Sequence, residues 1–182
     1  MVEDSLPVIT PKILFFAGGD IGWGYSSTQH GQARTFLGLH LSAIYKNFVY
    51  TLRYLDAKEL QVSTRNNIVP QFNSFDLPIE RTNETAFLVG YNYSNENYLF
   101  NASAGCSIQN NTFRGERIIG TTPESIQHEQ LLAHNTFGFP VEAQILKHST
   151  YFGWGLKLYY NVNQFLTTTG LLFTLQVGLF GV

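Results

Sequence analysis

Five ionisable residues of this chain are placed so that they could form one charged cluster: Asp20, His40, Arg53, Glu142 and Lys157. Each lies near the middle of a segment in which small or polar residues alternate with apolar ones, and each falls on the polar side of that alternation. If those polar sides meet inside a barrel, two carboxylates and two permanent cations can pair there. Since an unpaired buried charge is costly whereas a paired set roughly breaks even, we expect a structural ion-pair network. A gated path for ions or protons through the same side chains is the alternative.

Two other groupings offer little chemistry. His128, Glu129 and His134 are similar to the residues of a zinc-protease helix, but that motif needs its histidines one helical turn apart, and here they are six residues apart. We expect a solvent-exposed loop there. Ser26 and His30 lie close together in the sequence, but the Gly-x-Ser-x-Gly elbow of a hydrolase is absent. The sequence therefore predicts no catalytic residues, no metal site and no cofactor.

The composition describes a single domain of low charge. The chain has 182 residues, which we treat as one domain, 1–182, with a periplasmic N-terminal extension at 1–12. Charged residues make up 13%, against roughly 25% in ordinary soluble domains. Aromatic residues reach 15% and there are 16 glycines, a balance that favours contact with lipid. The net charge of −2 gives no basic surface for nucleic acid, and the single Cys106 excludes an internal disulfide.

Eight stretches show the two-residue periodicity of β-strands whose two faces differ. The last stretch shows it best. Its apolar set is Leu171, Phe173, Leu175, Val177 and Leu179, and its polar set is Gly170, Thr174, Gln176 and Gly178. We predict strands near residues 14–25, 33–45, 48–54, 87–93, 98–108, 137–145, 152–160 and 170–179, with their apolar residues outward. Long polar loops are predicted at Gln61–Thr85 and Asn110–Thr136.

The connections favour a barrel that spans a membrane. They are short after the second, fourth and sixth strands and long after the third and fifth, which is the plan of small bacterial outer-membrane barrels. No run reaches the roughly 18 apolar residues of a transmembrane helix. We therefore predict an all-β fold, an eight-stranded antiparallel up-and-down transmembrane barrel with short periplasmic turns and long outer loops. A soluble barrel of the lipocalin type, with its apolar face inward, would need a more highly charged exterior than this polar face offers.

Several stretches resemble the small outer-membrane β-barrel proteins of Bacteroidota, of the OmpA/OmpX size class. The most specific are residues 83–90, 103–105, 137–144 and 153–156, the last leading to Asn161-Val162-Asn163. The resemblance implies the barrel fold and a place in the bacterial outer membrane, and it implies no catalytic residues. The chain departs from that class at its C-terminus, which ends in Val182 rather than in an aromatic residue. Because the N-terminus lacks the basic start and apolar core of a signal peptide, we expect a chain from which the signal has been removed.

We expect a non-enzymatic outer-membrane protein that is a structural or accessory subunit of an envelope complex, with the outer loops as its binding surface. Its expected partners are the lipid bilayer, lipopolysaccharide and a larger outer-membrane protein complex. The loops carry apolar residues that we expect to pack on the barrel mouth or on a partner. These are Ile68, Val69, Phe72, Phe75, Leu77, Phe113, Ile118 and Ile119. The alternatives are a narrow channel and a lipid-modifying outer-membrane enzyme, which would need a serine paired with a histidine on the lipid-facing wall.

Overall fold

The computed structural model describes residues 13–27, 32–60, 80–95, 97–117 and 129–178. In these residues eight antiparallel strands follow one another in chain order, and the first pairs with the last to close a barrel. The strands are β1 Ile13–Ser26, β2 Gln32–Tyr45, β3 Phe48–Glu59, β4 Arg81–Ser94, β5 Tyr98–Arg117, β6 Glu129–His148, β7 Phe152–Asn163 and β8 Thr167–Gly178. The predicted eight-stranded up-and-down barrel is confirmed. The predicted extension at 1–12 lies outside the described residues.

No helix in the described part of the chain is long and apolar enough to cross a membrane.

The two ends of the barrel carry different connections. Lys46 and Asn47 join β2 to β3, and residues 95–97 and 149–151 make the β4–β5 and β6–β7 connections. We call this the short-turn end. The opposite, long-loop end carries the β3–β4 connection, residues 60–80, and the β5–β6 connection, residues 118–128. The predicted alternation of short and long connections is therefore confirmed.

The outer wall between the two ends is apolar, because successive side chains of a strand point to opposite faces. Leu171, for example, is 49% exposed on the outside while its neighbour Leu172 is fully buried inside. Other exposed residues of this wall are Phe15, Ile21, Trp23, Leu39, Leu41, Leu52, Phe87, Phe139, Trp154 and Leu158. Soluble monomers rarely expose contiguous apolar patches larger than a few hundred Å², so an apolar belt around the whole barrel is the surface of a barrel in lipid. It excludes the soluble alternative, in which the apolar face would point inward.

Three strands extend further than the sequence indicates. β4 begins at Arg81, β5 continues to Arg117 and β6 begins at Glu129, so the predicted loops Gln61–Thr85 and Asn110–Thr136 are wrong at their strand-side ends. The backbone ladders continue here although both faces of the strands carry polar residues. The few apolar residues of these extensions, Phe113, Leu131, Leu132 and Ala133, do not alternate with polar ones, so the sequence shows no two-residue hydrophobic period there. The remaining parts of both predicted loops, 61–79 and 118–128, lie outside the described residues.

The interior side chains form layers. An apolar layer closes the short-turn end, and it consists of Phe16, Ile44, Val49, Leu99 and Leu146. A second apolar group lies toward the long-loop end, and it consists of Phe36, Leu55, Ala57, Tyr159 and Leu172. Between them lie the charged residues. Glycine lets neighbouring strands of the barrel approach closely. At Gly155 a Cβ atom would lie 1.9 Å from the carbonyl oxygen of Ile145, so this position accepts no side chain.

We predict that Leu175→Arg destabilises the barrel in a bilayer. Leu175 is 43% exposed on the apolar wall, and an arginine on the lipid face near the midplane costs about 2–4 kcal/mol. Leu175→Phe keeps the wall apolar and is the matched control, which should cost little. The free energy of unfolding in lipid vesicles measures both effects. Equal stability of the two variants would contradict a lipid-facing wall.

Candidate functional site

The lumen holds all five residues that the sequence analysis singled out. Asp20, His40, Arg53, Glu142 and Lys157 lie on β1, β2, β3, β6 and β7, and each is at most 5% exposed. Each occupies an inward position of its strand, since the neighbouring outward positions carry the apolar wall. The structure brings the five side chains into one network with two halves, which are joined through Lys157.

The first half of the network is centred on Asp20. Its Oδ2 atom accepts a hydrogen bond from Lys157 Nζ at 2.8 Å and lies 3.1 Å from His40 Nδ1. The second imidazole nitrogen, Nε2, lies 2.9 Å from Nε2 of Gln176. If the Gln176 amide donates to Nε2, His40 donates from Nδ1 to the carboxylate, an assignment that gives each of these groups a partner. The imidazole thus ties β8 to β1.

The second half is centred on Arg53. Its guanidinium pairs with Glu84 through Nη2 and with Glu142 through Nη1. It also lies over the ring of Tyr159, 4.8 Å from the ring centroid, which is within the range of cation–π attraction. Lys157 Nζ lies 3.9 Å from Glu142 Oε2 and so connects this half to the first.

The residue that the sequence analysis missed is Glu84, a third carboxylate in the lumen. It is 2% exposed, and besides the contact with Arg53 it accepts hydrogen bonds from Tyr159 Oη at 2.5 Å, Asn161 Nδ2 at 2.6 Å and Gln109 Nε2 at 2.8 Å. The connected network therefore holds three carboxylates and two permanent cations instead of the expected two of each, and a further buried pair, Arg34 and Glu80, lies nearer the long-loop end. Glu84 falls within the predicted loop Gln61–Thr85, whereas the structure places it in β4.

A signal for Glu84 was present in the sequence. Ala86 and Leu88, two and four residues further on, are inward residues of β4. Extending that period of two backward places Glu84 and Thr82 on the same inner face. Asn83 and Thr85, the residues on either side of Glu84, are polar and lie on the outer face, so no apolar residue marks a strand there.

Every strand contributes at least one ionisable or amide side chain to the connected network, and Tyr159 and Asn161 of β7 join it as well. In order from β1 to β8 these side chains include Asp20, His40, Arg53, Glu84, Gln109, Glu142, Lys157 and Gln176. Between this network and the apolar layer of the short-turn end lies a cavity of about 10 Å³, roughly the smallest that holds a water molecule. Through the described residues the lumen is therefore filled by side chains, in agreement with the narrow interior of eight-stranded barrels.

The other predicted groupings are not brought together. His134 lies on β6 rather than in a loop, and its ring stacks beside Phe165 at 5.5 Å. His128 and His30 lie outside the described residues, and Ser26 Oγ is buried against Thr168 Oγ1 at 3.0 Å. Among the described residues, no group of three His, Cys, Asp or Glu side chains is arranged to hold a metal ion.

One serine does meet a histidine at the short-turn end. Ser94 Oγ lies 3.4 Å from His148 Nε2; the serine is exposed and the histidine half-buried, at the rim rather than on the apolar wall. The same nitrogen lies 3.2 Å from the carbonyl oxygen of Asn95. If Nε2 donates to this carbonyl, it carries the proton and cannot accept one from Ser94, and the contact then offers no nucleophile–base pair.

No protein-family model and no curated protein sequence matches this chain. Solved structures match it closely in shape. Neisserial surface protein A, NspA, has a TM-score of 0.66 at 9% identity, covering 90% of this chain and 96% of that one. Ail, the attachment invasion locus protein of Yersinia pestis, has a TM-score of 0.59 at 7% identity, covering 94% and 100%. The N-terminal barrel domain of Pseudomonas aeruginosa OprF has a TM-score of 0.53 at 11% identity, covering 88% and 96%.

The fold is that of a small outer-membrane β-barrel. At these identities the likeness concerns the fold, and it carries no residue roles from one protein to another.

We predict strong energetic coupling between Lys157 and Asp20. Of the two carboxylates near Lys157, that of Asp20 is the closer. Asp20→Asn or Lys157→Met leaves a buried charge without its partner and should cost about 3–5 kcal/mol, whereas the double variant should recover much of that loss. A double-mutant cycle on the free energy of unfolding in vesicles measures the coupling.

The exposed pair Asp56 and Arg81 supplies the matched control cycle. Arg81 Nε donates to Asp56 Oδ1 at 2.7 Å, but the arginine side chain is 44% exposed, so the coupling should be about 0.2–1 kcal/mol. Equal coupling energies in the two cycles would contradict a buried, interdependent network.

Proposed function

We propose that this chain is a non-enzymatic integral protein of a bacterial outer membrane, that it is a structural or accessory subunit of an envelope complex, and that its outer end binds another protein. The support comes first from elimination within the described residues. The lumen is filled by the charged network and the outer wall is committed to lipid. The two ends of the barrel are left as surfaces for recognition.

The observation that carries the proposal is the length of β5 and β6. Each has 20 residues, whereas the other strands have 12 to 14. β5 loses its pairing with β4 beyond Thr112, and β6 has no pairing with β7 on the far side of Gly138. The two strands therefore continue past the rest of the barrel as a hairpin, which we call the outer hairpin, residues 113–117 and 129–137.

The outer hairpin has an open backbone edge. Residues 129–137 of β6 pair with β5 on one side and, among the described residues, with no strand on the other. Such an edge presents unpaired N–H and C=O groups and is a template for another strand. The side chains of residues 132–135 are exposed on both faces of the strand, so this edge is accessible to a partner. An extended segment of a partner that adds as a strand fits this surface.

The outer hairpin replaces part of the binding surface that the sequence analysis placed in loops. Phe113, one of the apolar residues assigned to those loops, lies in β5 and is half-buried. The other seven lie outside the described residues, and their packing remains a prediction.

A protein partner is favoured over a polyanion by the charges at the long-loop end. Ail of Yersinia pestis was solved with the heparin analogue sucrose octasulfate. Here three cations of that end are paired: Arg34 lies 3.4 Å from Glu80, and Arg81 and Lys58 both face Asp56. Paired cations leave little charge for sulfate or phosphate groups. Contact with lipopolysaccharide and membership of the Bacteroidota class rest on the predicted location and on sequence resemblance.

Trimming the outer hairpin tests the proposal. A variant in which Thr112 is joined to Ala133 by a Gly-Ser turn should still form a barrel, seen as a heat-dependent shift in gel mobility, and should lose partners that copurify from native outer membrane. If the trimmed barrel keeps every partner of the full chain, the proposed surface is wrong.

Two proline variants separate the open edge from the hairpin as a whole. Neighbouring residues of a strand direct their N–H groups to opposite edges, so of Ala133→Pro and His134→Pro one removes an edge N–H and the other removes a bond to β5. The edge-directed variant should abolish partner binding while the hairpin persists. Full binding by both variants would exclude strand addition.

A further inference from the structure

The short-turn end holds a recess that neither the lumen network nor the outer hairpin uses. Its volume is about 450 Å³, within the usual range for pockets that bind small ligands, about 300–1,000 Å³. Its floor is formed by Leu14, Phe16, Ile44 and Leu99, and its rim includes Lys46 and Asn92. The recess lies at the opposite end of the barrel from the outer hairpin.

The floor of the recess is rigid and apolar. Phe16, Ile44 and Leu99 are 4–6% exposed and belong to the apolar layer that closes the lumen. A floor built on strand residues keeps its shape before a ligand arrives, which lowers the cost of binding. It fits an aliphatic side chain.

The wall of the recess contains a buried acceptor without a donor. Asn92 is 8% exposed, and its backbone N–H donates to the carbonyl oxygen of Asn47 at 2.7 Å, which fixes its position. Its side-chain Oδ1 atom has no hydrogen-bond partner among the described residues. A buried acceptor left unpaired is unfavourable, so a ligand that brings an N–H group gains by pairing with it.

The charges around the recess are basic. In the described residues of the short turns and the strand ends beside them, the charged side chains are Lys46 and Lys147, with His148 next to them, and none is acidic. Glu96 of the β4–β5 turn lies outside the described residues. The Lys46 backbone is in the left-handed region, with φ at 55°, and its ammonium lies 5.4 Å from the Tyr45 ring centroid. The turn thus places a cation beside the recess.

We propose that this recess binds an extended acidic peptide segment of a partner protein, with an aliphatic side chain on the floor, a backbone N–H on Asn92 and a carboxylate near Lys46. The three features of the site, apolar floor, acceptor and cation, match these three groups. The headgroup of an anionic lipid such as phosphatidylglycerol would satisfy the cation but has no N–H group to offer Asn92. The site is independent of the outer hairpin, so either proposal can fail alone.

An array of pentapeptides tests this inference on the purified full chain in nanodiscs of phosphatidylcholine. Each peptide combines one leucine or valine with two aspartates in permuted order, the remaining positions being serine or glycine, and carries a fluorescent label. Fluorescence anisotropy should show saturable binding for a subset, and replacing aspartate by asparagine or the aliphatic residue by serine should weaken it. Failure of every acidic peptide to bind overturns the proposal.

Three variants locate the bound peptide. Lys46→Glu and Asn92→Leu should each weaken binding about tenfold, as expected for the loss of one contact to a charged or buried group. Lys147→Glu, on the same rim but outside the recess, should change it much less. Heat-dependent gel mobility verifies that each variant is folded. Equal losses of affinity for Lys46→Glu and Lys147→Glu would show that binding depends on the overall charge of this end and not on the recess. Displacement of the peptide by phosphatidylglycerol nanodiscs would assign the recess to lipid. Either result overturns the proposal.

Discussion

The pairing of Arg53 with Glu84 and Glu142 is the interaction on which the rest of the barrel depends. An eight-stranded barrel has an interior just wide enough for side chains, so charges in it have no bulk water to screen them. The guanidinium contacts carboxylates from β4 and β6 and lies over Tyr159 of β7. One buried cation thereby holds four strands, including its own, in a fixed arrangement. The buried charges are therefore paired only when the strands that carry them have closed into the barrel.

This constraint explains how the surfaces of the molecule are divided. A lumen filled by paired charges above an apolar layer leaves no open path through the described residues. The apolar wall faces lipid. Under the proposed function, recognition therefore uses the ends of the barrel, and the two ends differ in kind. The long-loop end offers an open backbone edge, whereas the short-turn end offers a shaped recess with a cation and a buried acceptor.

The part of the fold that could be predicted from the sequence consists of the strand segments whose outward residues face lipid and must therefore be apolar. Within the apolar wall, the alternation of Phe173 and Leu175 with Thr174 and Gln176 reveals both the strand and its inward face. The same alternation placed Asp20, His40, Arg53, Glu142 and Lys157 in the lumen. Beyond the wall apolar and polar residues no longer alternate, so the extensions of β4, β5 and β6 leave no such trace.

Which lumen side chains pair with one another is harder to predict from the sequence than which residues face the lumen. Depth along the strands does not decide whether Lys157 reaches Asp20 at 2.8 Å or Glu142 at 3.9 Å, because long side chains can cross the lumen in several directions. Glu84 escaped detection because its strand was assigned to a loop. The outer hairpin and the recess depend on which strands end first, and strand ends are the least regular feature of the pattern.

The ion conductance of the purified barrel in a planar lipid bilayer tests the central claim most directly, since a lumen closed by Arg53, its carboxylate partners and the apolar layer has no continuous aqueous path. The heat-dependent gel mobility of the same protein preparation verifies independently that the barrel is folded. The account predicts no current above that of the protein-free bilayer at either polarity. Reproducible conductance steps from the folded chain would contradict a filled lumen and would return the charged network to the role of an ion path.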